Sequence, residues 1–362
     1  MSKQSTSEWV DIMSFENKRI FITGGAGFIG TNLAKHFLDK GASVTVFDNL
    51  SRKNVENNIH WLQAMKNKNF KFLQGDIRQP AQLLKNFNEI QPEAVLHCCA
   101  QTAVTTSVKE PSLDFEINAA GTVNVLEAAR KCGSNPTVVY TSTNKVYGNS
   151  VNNIPLAERK GRYEFADKNF EKGIPEDLST DASEHTPYGC SKYTADIYVR
   201  DYCSIYDLPA AVFRMSCIYG TRQFGTEEQG WVAHFIISSV LGKPLTIYGD
   251  GKQVRDILFI DDLARAFELA IEKISSTKGQ AFNIGGGPQN TISLLELIDI
   301  LEKLTGKKIP HTFSGWRPFD QRVYISDISK INKYTGWQPQ ISVNEGIEKL
   351  FGWVSENKNL FG

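Results

Sequence analysis

The 362-residue chain reads as an α/β protein built on a doubly wound parallel sheet. Three observations carry that reading. A glycine-rich turn, Gly24-Gly25-Ala26-Gly27, lies between an apolar run, Arg19 to Thr23, and a stretch of helical spacing (Phe28, Leu33, Phe37, Leu38) that stops at Gly41. Short apolar runs then alternate with helical stretches along most of the chain, which is the pattern of parallel strands joined by crossover helices. Composition is that of a globular protein, with 41% hydrophobic and 22% charged residues, and the length suits about two domains.

The elements follow in order. Ser43 to Phe47 is a short β-branched strand ending on Asp48, and a polar stretch with Arg52 and Lys53 comes next. Phe70 to Gln74 is a third strand, and Pro80 is placed to start a helix that runs to Ile90. Glu93 to His97 is a fourth strand, Asn118 leads a helix that ends at Gly133, and Thr137 to Thr141 is a fifth strand. Residues 149–181 are polar with little periodicity; a loop of that length is usually functional or disordered, and here it is expected to cover the substrate. Pro187 to Tyr206 predicts a long helix, Pro209 to Arg214 a buried strand, and Ile257 to Ile260 another. Asp261 or Asp262 is expected to cap the helix after it. Ala281 to Ile284 is a further strand, and Ser293-Leu294-Leu295-Glu296 is a capping box opening a helix to Leu304. A short helix near Ile328, a turn at 336–339 and a last helix from Val343 to Trp353 complete the chain.

Formal net charge is zero, so no basic field points to nucleic acid and no polybasic block to a membrane. No apolar run approaches the length of a membrane span. Residues 1–17 are polar, lack the apolar core of a signal sequence, and read as a flexible extension in which Trp9 and Ile12 could dock. The cytoplasm is the expected location. Six cysteines without C-x-x-C spacing argue against a disulfide framework and a metal site. Two of them, Cys98 and Cys99, end a strand near the expected site.

Strand, glycine turn and helix form the context in which a loop binds a dinucleotide pyrophosphate on free helix N–H groups. Gly24, Gly27 and Gly30 are spaced G-x-x-G-x-x-G, and with Phe28 and Ile29 they are the candidate pyrophosphate-binding residues. Asp48 lies about 20 residues into the unit, where a carboxylate can bond ribose hydroxyls. That carboxylate would repel a 2′-phosphate, so NAD is favoured over NADP; Asp48-Asn49 is also turn-like. Tyr188 and Lys192 stand at i and i+4 and share one helix face. A phenol of ordinary pKa about 10 becomes a usable base beside an ammonium and a cationic nicotinamide.

On these residues the chain resembles the extended short-chain dehydrogenase/reductases of the nucleotide-sugar branch, from Lys18 onward. The resemblance implies a Rossmann-type NAD-binding domain and a smaller C-terminal α/β domain for the nucleotide sugar. The first comprises 18–214 and 254–284, with 149–181 inserted near the active site, and the second 215–253 and 285–362. It also implies a Ser or Thr that completes a triad with Tyr188 and Lys192. Spacing to Val146-Tyr147-Gly148 selects Thr143, with Ser142 as the competing hydroxyl. Further implied roles are cofactor contacts at Asn49, Asp76, Ile77 and Ala100, and a structural, water-binding role for Asn118.

Dehydratases of this branch carry Asp-Glu after the catalytic Thr, whereas this chain has Asn144-Lys145, so the resemblance favours epimerisation. The stretches 142–148, 187–192, 222–225, 229–232 and 320–323 are similar to epimerases acting on CDP-deoxyhexoses. They imply oxidation and re-reduction at sugar C2, CDP-paratose to CDP-tyvelose. Arg255 is the first candidate for the diphosphate and Arg317 the second, because guanidinium suits bidentate phosphate contact. Arg222 and Gln229 are weaker substrate candidates. A UDP-hexose 4-epimerase, or a non-catalytic NAD-sensing protein of the same fold, are the alternatives. Pairing through the helices after Asn118 and Pro187 implies a homodimer or homotetramer.

Overall fold

The computed structural model describes residues 15–181, 183–317 and 319–361. The strands β1 (Arg19–Thr23), β2 (Ser43–Asp48), β3 (Phe70–Gln74), β4 (Ala94–His97) and β5 (Thr137–Thr143) alternate with helices. These are α1 (Phe28–Asp39), α2 (Glu56–Ala64), α3 (Pro80–Ile90), α4 (Val104–Lys109), α5 (Pro111–Phe115) and α6 (Gly121–Lys131). A π-helical turn, Glu116–Ala120, joins α5 to α6. After β5 come the hairpin β6 (Leu156–Arg159) and β7 (Arg162–Phe165), then α7 (Pro187–Tyr206), β8 (Ala210–Met215) and β9 (Cys217–Tyr219). Next are α8 (Trp231–Leu241), β10 (Leu245–Tyr248), β11 (Val254–Phe259), α9 (Ile260–Glu272), α10 (Ile274–Thr277) and β12 (Ala281–Ile284). The chain ends with β13 (Thr291–Ser293), α11 (Leu294–Thr305), β14 (His311–Ser314), β15 (Val323–Tyr324), α12 (Ser329–Thr335) and α13 (Val343–Glu356).

Seven parallel strands form the main sheet in the order β12-β8-β5-β4-β1-β2-β3. Its central strands are buried along both faces, which is why β4 and β5 carry almost no solvent-facing position. Two apolar clusters fill the two sides of the sheet, one around Ile20, Leu33 and Phe267, the other around Phe21, Val95 and Leu126. Strand order reverses between β1 and β4, so a crevice opens at their carboxyl ends, the usual ligand position in such sheets. The glycine loop leaves β1 there, and 98–100 leaves β4 beside it.

Several expectations need correction. Strand β11, read with 254–284 as part of the cofactor-binding domain, pairs with β9, β13 and β15 in a smaller mixed sheet; its apolar run marks a strand but not its partner. Asp261 and Asp262 do not cap α9, which starts after Phe259 without a side-chain cap; Asp262 instead accepts the N–H groups of Gln340 and Ile341 at 3.0 and 2.9 Å. The insertion 149–181 is not structureless, since it holds the β6–β7 hairpin, whose turn is Lys160-Gly161. Phe15 is buried against Phe37, with ring centres 5.0 Å apart, so the end of the expected extension 1–17 belongs to the core. Trp9 and Ile12 lie outside the described residues. The capping box at Ser293 and Glu296 is formed. No described helix is long and apolar enough to cross a membrane.

Candidate active site

Beyond Thr23 the backbone turns at Gly24 with φ 66°. A side chain at Gly24 would lie 2.6 Å from the Cys99 backbone, and one at Gly30 would lie 2.5 Å from the Gly24 carbonyl. Only glycine permits this packing of loop, helix and β4 exit. Helix α1 opens at Gly27 with neither a capping side chain nor an acid in its first turn. No capping side chain therefore claims the N–H groups of Phe28, Ile29 and Gly30, and this end of the helix fits a pyrophosphate.

Asp48 braces the loop. Its Oδ2 accepts the Ala26 N–H at 3.1 Å and its Oδ1 the Leu50 N–H at 2.8 Å. Burial raises its pKa and the two backbone donors oppose that rise. A carboxylate has lone pairs to spare for ribose hydroxyls. Asn49 Nδ2 donates to Asp76 at 2.9 Å, and the hydrogen-bonded Arg78 side chain holds Asp76 down to about 2. The Ile77 side chain is buried in the core and its carbonyl accepts from Asn124 at 3.0 Å, so the segment after Asp76 is fixed in place. Ala100 lies in the partly exposed segment leaving β4, beside the glycine loop. Burial pushes Cys99 up to about 12 and also raises Cys98, and both side chains pack against the apolar clusters of the sheet. His97, unremarked in sequence, bridges Thr23 Oγ1 at 2.6 Å and Thr122 Oγ1 at 2.9 Å beneath the loop. Burial lowers its pKa to about 3, so the ring is neutral.

Tyr188 is the second residue of α7, whose N-cap Thr186 accepts the Gly189 N–H at 3.2 Å and whose first residue is Pro187. The Thr143 hydroxyl, at the end of β5, donates to Asn144 Oδ1 at 3.3 Å and lies near enough to the Tyr188 phenol to oppose part of the rise that burial causes in its pKa. Ser142 points to the other face of β5 and donates to Asp196 at 3.2 Å, as strand alternation requires. Lys192 Nζ donates to the Thr141 carbonyl at 2.6 Å and stands 4.3 Å from the Tyr140 ring centre. Burial pushes Tyr188 up to about 12 and Lys192 down to about 8. Asn118 sits in the π-helical turn, with its amide shared among the Gln101 backbone, Asp114 and Ser191 at 2.9 to 3.1 Å. Such turns recur at functional sites because they re-aim a side chain.

A cavity of about 560 Å³ opens beside this cluster, lined by Lys145, Gln229, Trp231, Tyr248, Arg255 and Arg317 among others. Arg255 Nη2 is paired with Asp320 at 2.7 Å. Arg317 lies over the Tyr248 ring at 4.1 Å and donates to the Glu227 carbonyl at 3.0 Å. Gln229 accepts from Arg52, so the loop after β2 is tied to the cavity wall. Arg222 is elsewhere. Its guanidinium is held over Trp61 and Trp353, 4.1 and 5.5 Å from their ring centres, and it does not line the cavity. Its backbone supports the glycine loop from behind through Asn58, which donates to both Ala26 and Arg222 carbonyls. Lys145, Tyr248 and Asp320 were missed as site residues, although 142–148 and 320–323 stood out as motifs. The hairpin packs nearby: Tyr163 N–H donates to the Lys252 carbonyl at 2.9 Å. Among the described residues no cluster of His, Cys, Asp and Glu is arranged to hold a metal ion.

Comparison with known proteins agrees with this fold. The NAD dependent epimerase/dehydratase family matches residues 20–285. CDP-paratose 2-epimerase of Salmonella typhi is 43% identical over 342 residues, which span 93% of this chain and 99% of that protein. The crystal structure of UDP-glucose 4-epimerase with UDP-glucose from Thermotoga maritima superposes with a TM-score of 0.79 at 30% identity, covering 94% of this chain and 99% of that one. The Thermus thermophilus UDP-glucose 4-epimerase complex with NAD gives a TM-score of 0.75 at 29% identity, covering 92% and 98%.

Proposed function

The chain belongs to the NAD dependent epimerase/dehydratase family, and from that premise we propose that it inverts C2 of a CDP-deoxyhexose, converting CDP-paratose to CDP-tyvelose in the cytoplasm. The observation that carries epimerisation is the segment after Thr143. Asn144 and Lys145 stand there: an amide cannot serve as the general acid of an elimination, so water is not expelled from the sugar. The choice of CDP-paratose is supported by the 43% identity to the Salmonella typhi enzyme across both chains.

The residues divide the work as follows. Gly24, Gly27, Phe28, Ile29 and Gly30 hold the pyrophosphate of NAD, Asp48 the ribose, and Asn49, Asp76, Ile77 and Ala100 the adenine end. NAD, when bound, supplies the hydride acceptor and donor and a cationic ring whose field favours the phenolate form of Tyr188. Tyr188 takes the proton from the C2 hydroxyl as that carbon is oxidised, and Thr143 holds the same oxygen by a hydrogen bond. Lys192, with Thr141 fixing its ammonium, stabilises the phenolate. Arg255, with Arg317 and Gln229 along the cavity wall, anchors the nucleotide diphosphate. The keto sugar then turns on that anchor and presents its other face, and Tyr188 returns the proton to oxygen as C2 is reduced.

One experiment tests both substrate and route. CDP-, UDP- and dTDP-sugars are incubated with the protein in deuterated water and the products followed by NMR. CDP-paratose should be inverted at C2 with no deuterium at that carbon. Turnover of UDP-glucose alone would replace this reading with 4-epimerisation, deuterium at C2 would replace hydride transfer with deprotonation, and no turnover with NAD still bound would favour a sensing role.

The assembly is proposed to be a homodimer or a dimer of dimers through the helices after Asn118 and Pro187, α6 and α7. Of these, α7 exposes Ile197, Tyr198, Ile205 and Tyr206, with Ile205 63% exposed, and exposed apolar side chains on one helix are what a partner surface covers. Ile205→Glu combined with Tyr198→Glu should shift the mass seen by light scattering to that of a monomer. An unchanged mass would place the interface elsewhere.

A further inference from the structure

We propose that Lys145 binds the sugar-proximal phosphate of the nucleotide sugar and, by doing so, makes C2 rather than C4 the carbon that meets Tyr188. The inference rests on the C2 reading above.

Lys145 follows the reacting-oxygen ligand Thr143 by two residues and lines the same cavity wall as Arg255. Its Nζ reaches Gln321 Oε1 at 3.5 Å, the outer limit of a hydrogen bond. The nearby carboxylate, Asp320, is already bonded to Arg255 at 2.7 Å. Gln321 is itself 1% exposed, and its Nε2 has no partner among the described residues. Asn144 Nδ2 reaches the same Gln321 oxygen at 3.4 Å, and Thr143 Oγ1 reaches Asn144 at 3.3 Å. The chain Thr143, Asn144, Gln321, Lys145 is therefore made of long contacts with donors to spare. Burial and the Arg255 charge lower the Lys145 pKa to about 8, with Asp320 acting against them. A recessed cation short of a carboxylate of its own is costly unless an anion arrives to meet it.

The covalent structure of the substrate says which anion. C2 is joined to the proximal phosphorus through C1 and the glycosidic oxygen, whereas C4 lies across the ring. With C2 at Tyr188 and Thr143, the phosphate falls close beside the reacting carbon, where Lys145 and Arg255 stand. With C4 there, the same position faces sugar carbons and an ammonium has no phosphate to bind. A carboxylate at 145 would repel the phosphate in the C2 pose.

The test compares inhibition of the NAD-loaded enzyme by CDP and by CMP, which lacks the second phosphate. Lys145→Met should weaken CDP by about tenfold to a hundredfold, the worth of a charge-assisted hydrogen bond, and leave CMP unchanged. Lys145→Arg should restore most of the difference. NAD content and thermal melting of both variants show that the fold persists, and a general packing defect would weaken CDP and CMP alike. An unchanged CDP-to-CMP ratio in Lys145→Met overturns the proposal. Wild-type product formed at C4 by NMR would instead overturn the C2 reading itself, so the two failures are distinguishable.

Discussion

Tyr188→Phe should lower turnover by about 10²- to 10⁴-fold, the range for losing a positioned general base, or about 3 to 5 kcal/mol of barrier. Bound NAD should stay. The variant keeps the ring, which is buried in the first turn of α7, and loses only the hydroxyl on the side of Thr143. One hydrogen bond is worth about 1 kcal/mol to folding, so the melting temperature should move little while activity collapses. Product formation is followed by NMR and NAD content by absorbance after release. Near wild-type turnover would move the base away from Tyr188. Loss of NAD together with activity would mean that the phenol serves binding rather than proton transfer.

The largest stability effect should come from Asp196, a buried carboxylate that touches no part of the cavity. Its carboxylate is fully buried and pairs with Arg214 at 2.9 Å and with Arg200 at 2.9 Å. Arg214 extends the network to the Glu176 carbonyl at 3.1 Å and to Tyr147 Oη at 3.3 Å, and Tyr147 donates to Asn283 at 2.7 Å. α7, β8, the insertion and β12 thus meet on one charge pair. Asp196→Ala leaves Arg214 buried without its counter-ion, and breaking such a pair costs about 3–5 kcal/mol. Asp196→Leu with Arg214→Met should recover much of that loss, since buried pairs are often replaced by apolar groups at little cost. Urea unfolding of the three proteins measures both numbers. A loss below about 1 kcal/mol in Asp196→Ala, the value of an exposed pair, would mean that water reaches the site.

Much of the fold could be read because its signals are local. Glycine spacing, an acid at the end of the second strand and an i, i+4 pair each depend on residues within a few turns of one another. Elements without such a signal were missed. Helix α8 is apolar on nearly every side, Trp231-Val232-Ala233-His234-Phe235-Ile236-Ile237, so it has no polar face to betray a helical period. Helix α2 fails in the opposite way, with only Asn58, Ile59 and Leu62 buried. The β6–β7 hairpin did carry a two-residue turn, Lys160-Gly161, but its charged strands hid the alternation.

Side-chain partners distant in sequence form the other group. Arg222 looked like a substrate ligand by its motif, and two tryptophans far along the chain claim its guanidinium instead. Arg255 carried the right chemistry, yet its pairing with Asp320, 65 positions away, could not be read from spacing. Lys145 was noticed only as the residue that replaces a dehydratase acid, and its place in the cavity depends on segments near 255 and 320. The chain order thus specifies the strand–loop–helix unit and the Tyr188–Lys192 face, because backbone geometry sets those distances over short spans. The folded molecule alone selects which cations reach the cavity and which are spent on structure, because those contacts depend on long-range packing that no local period encodes.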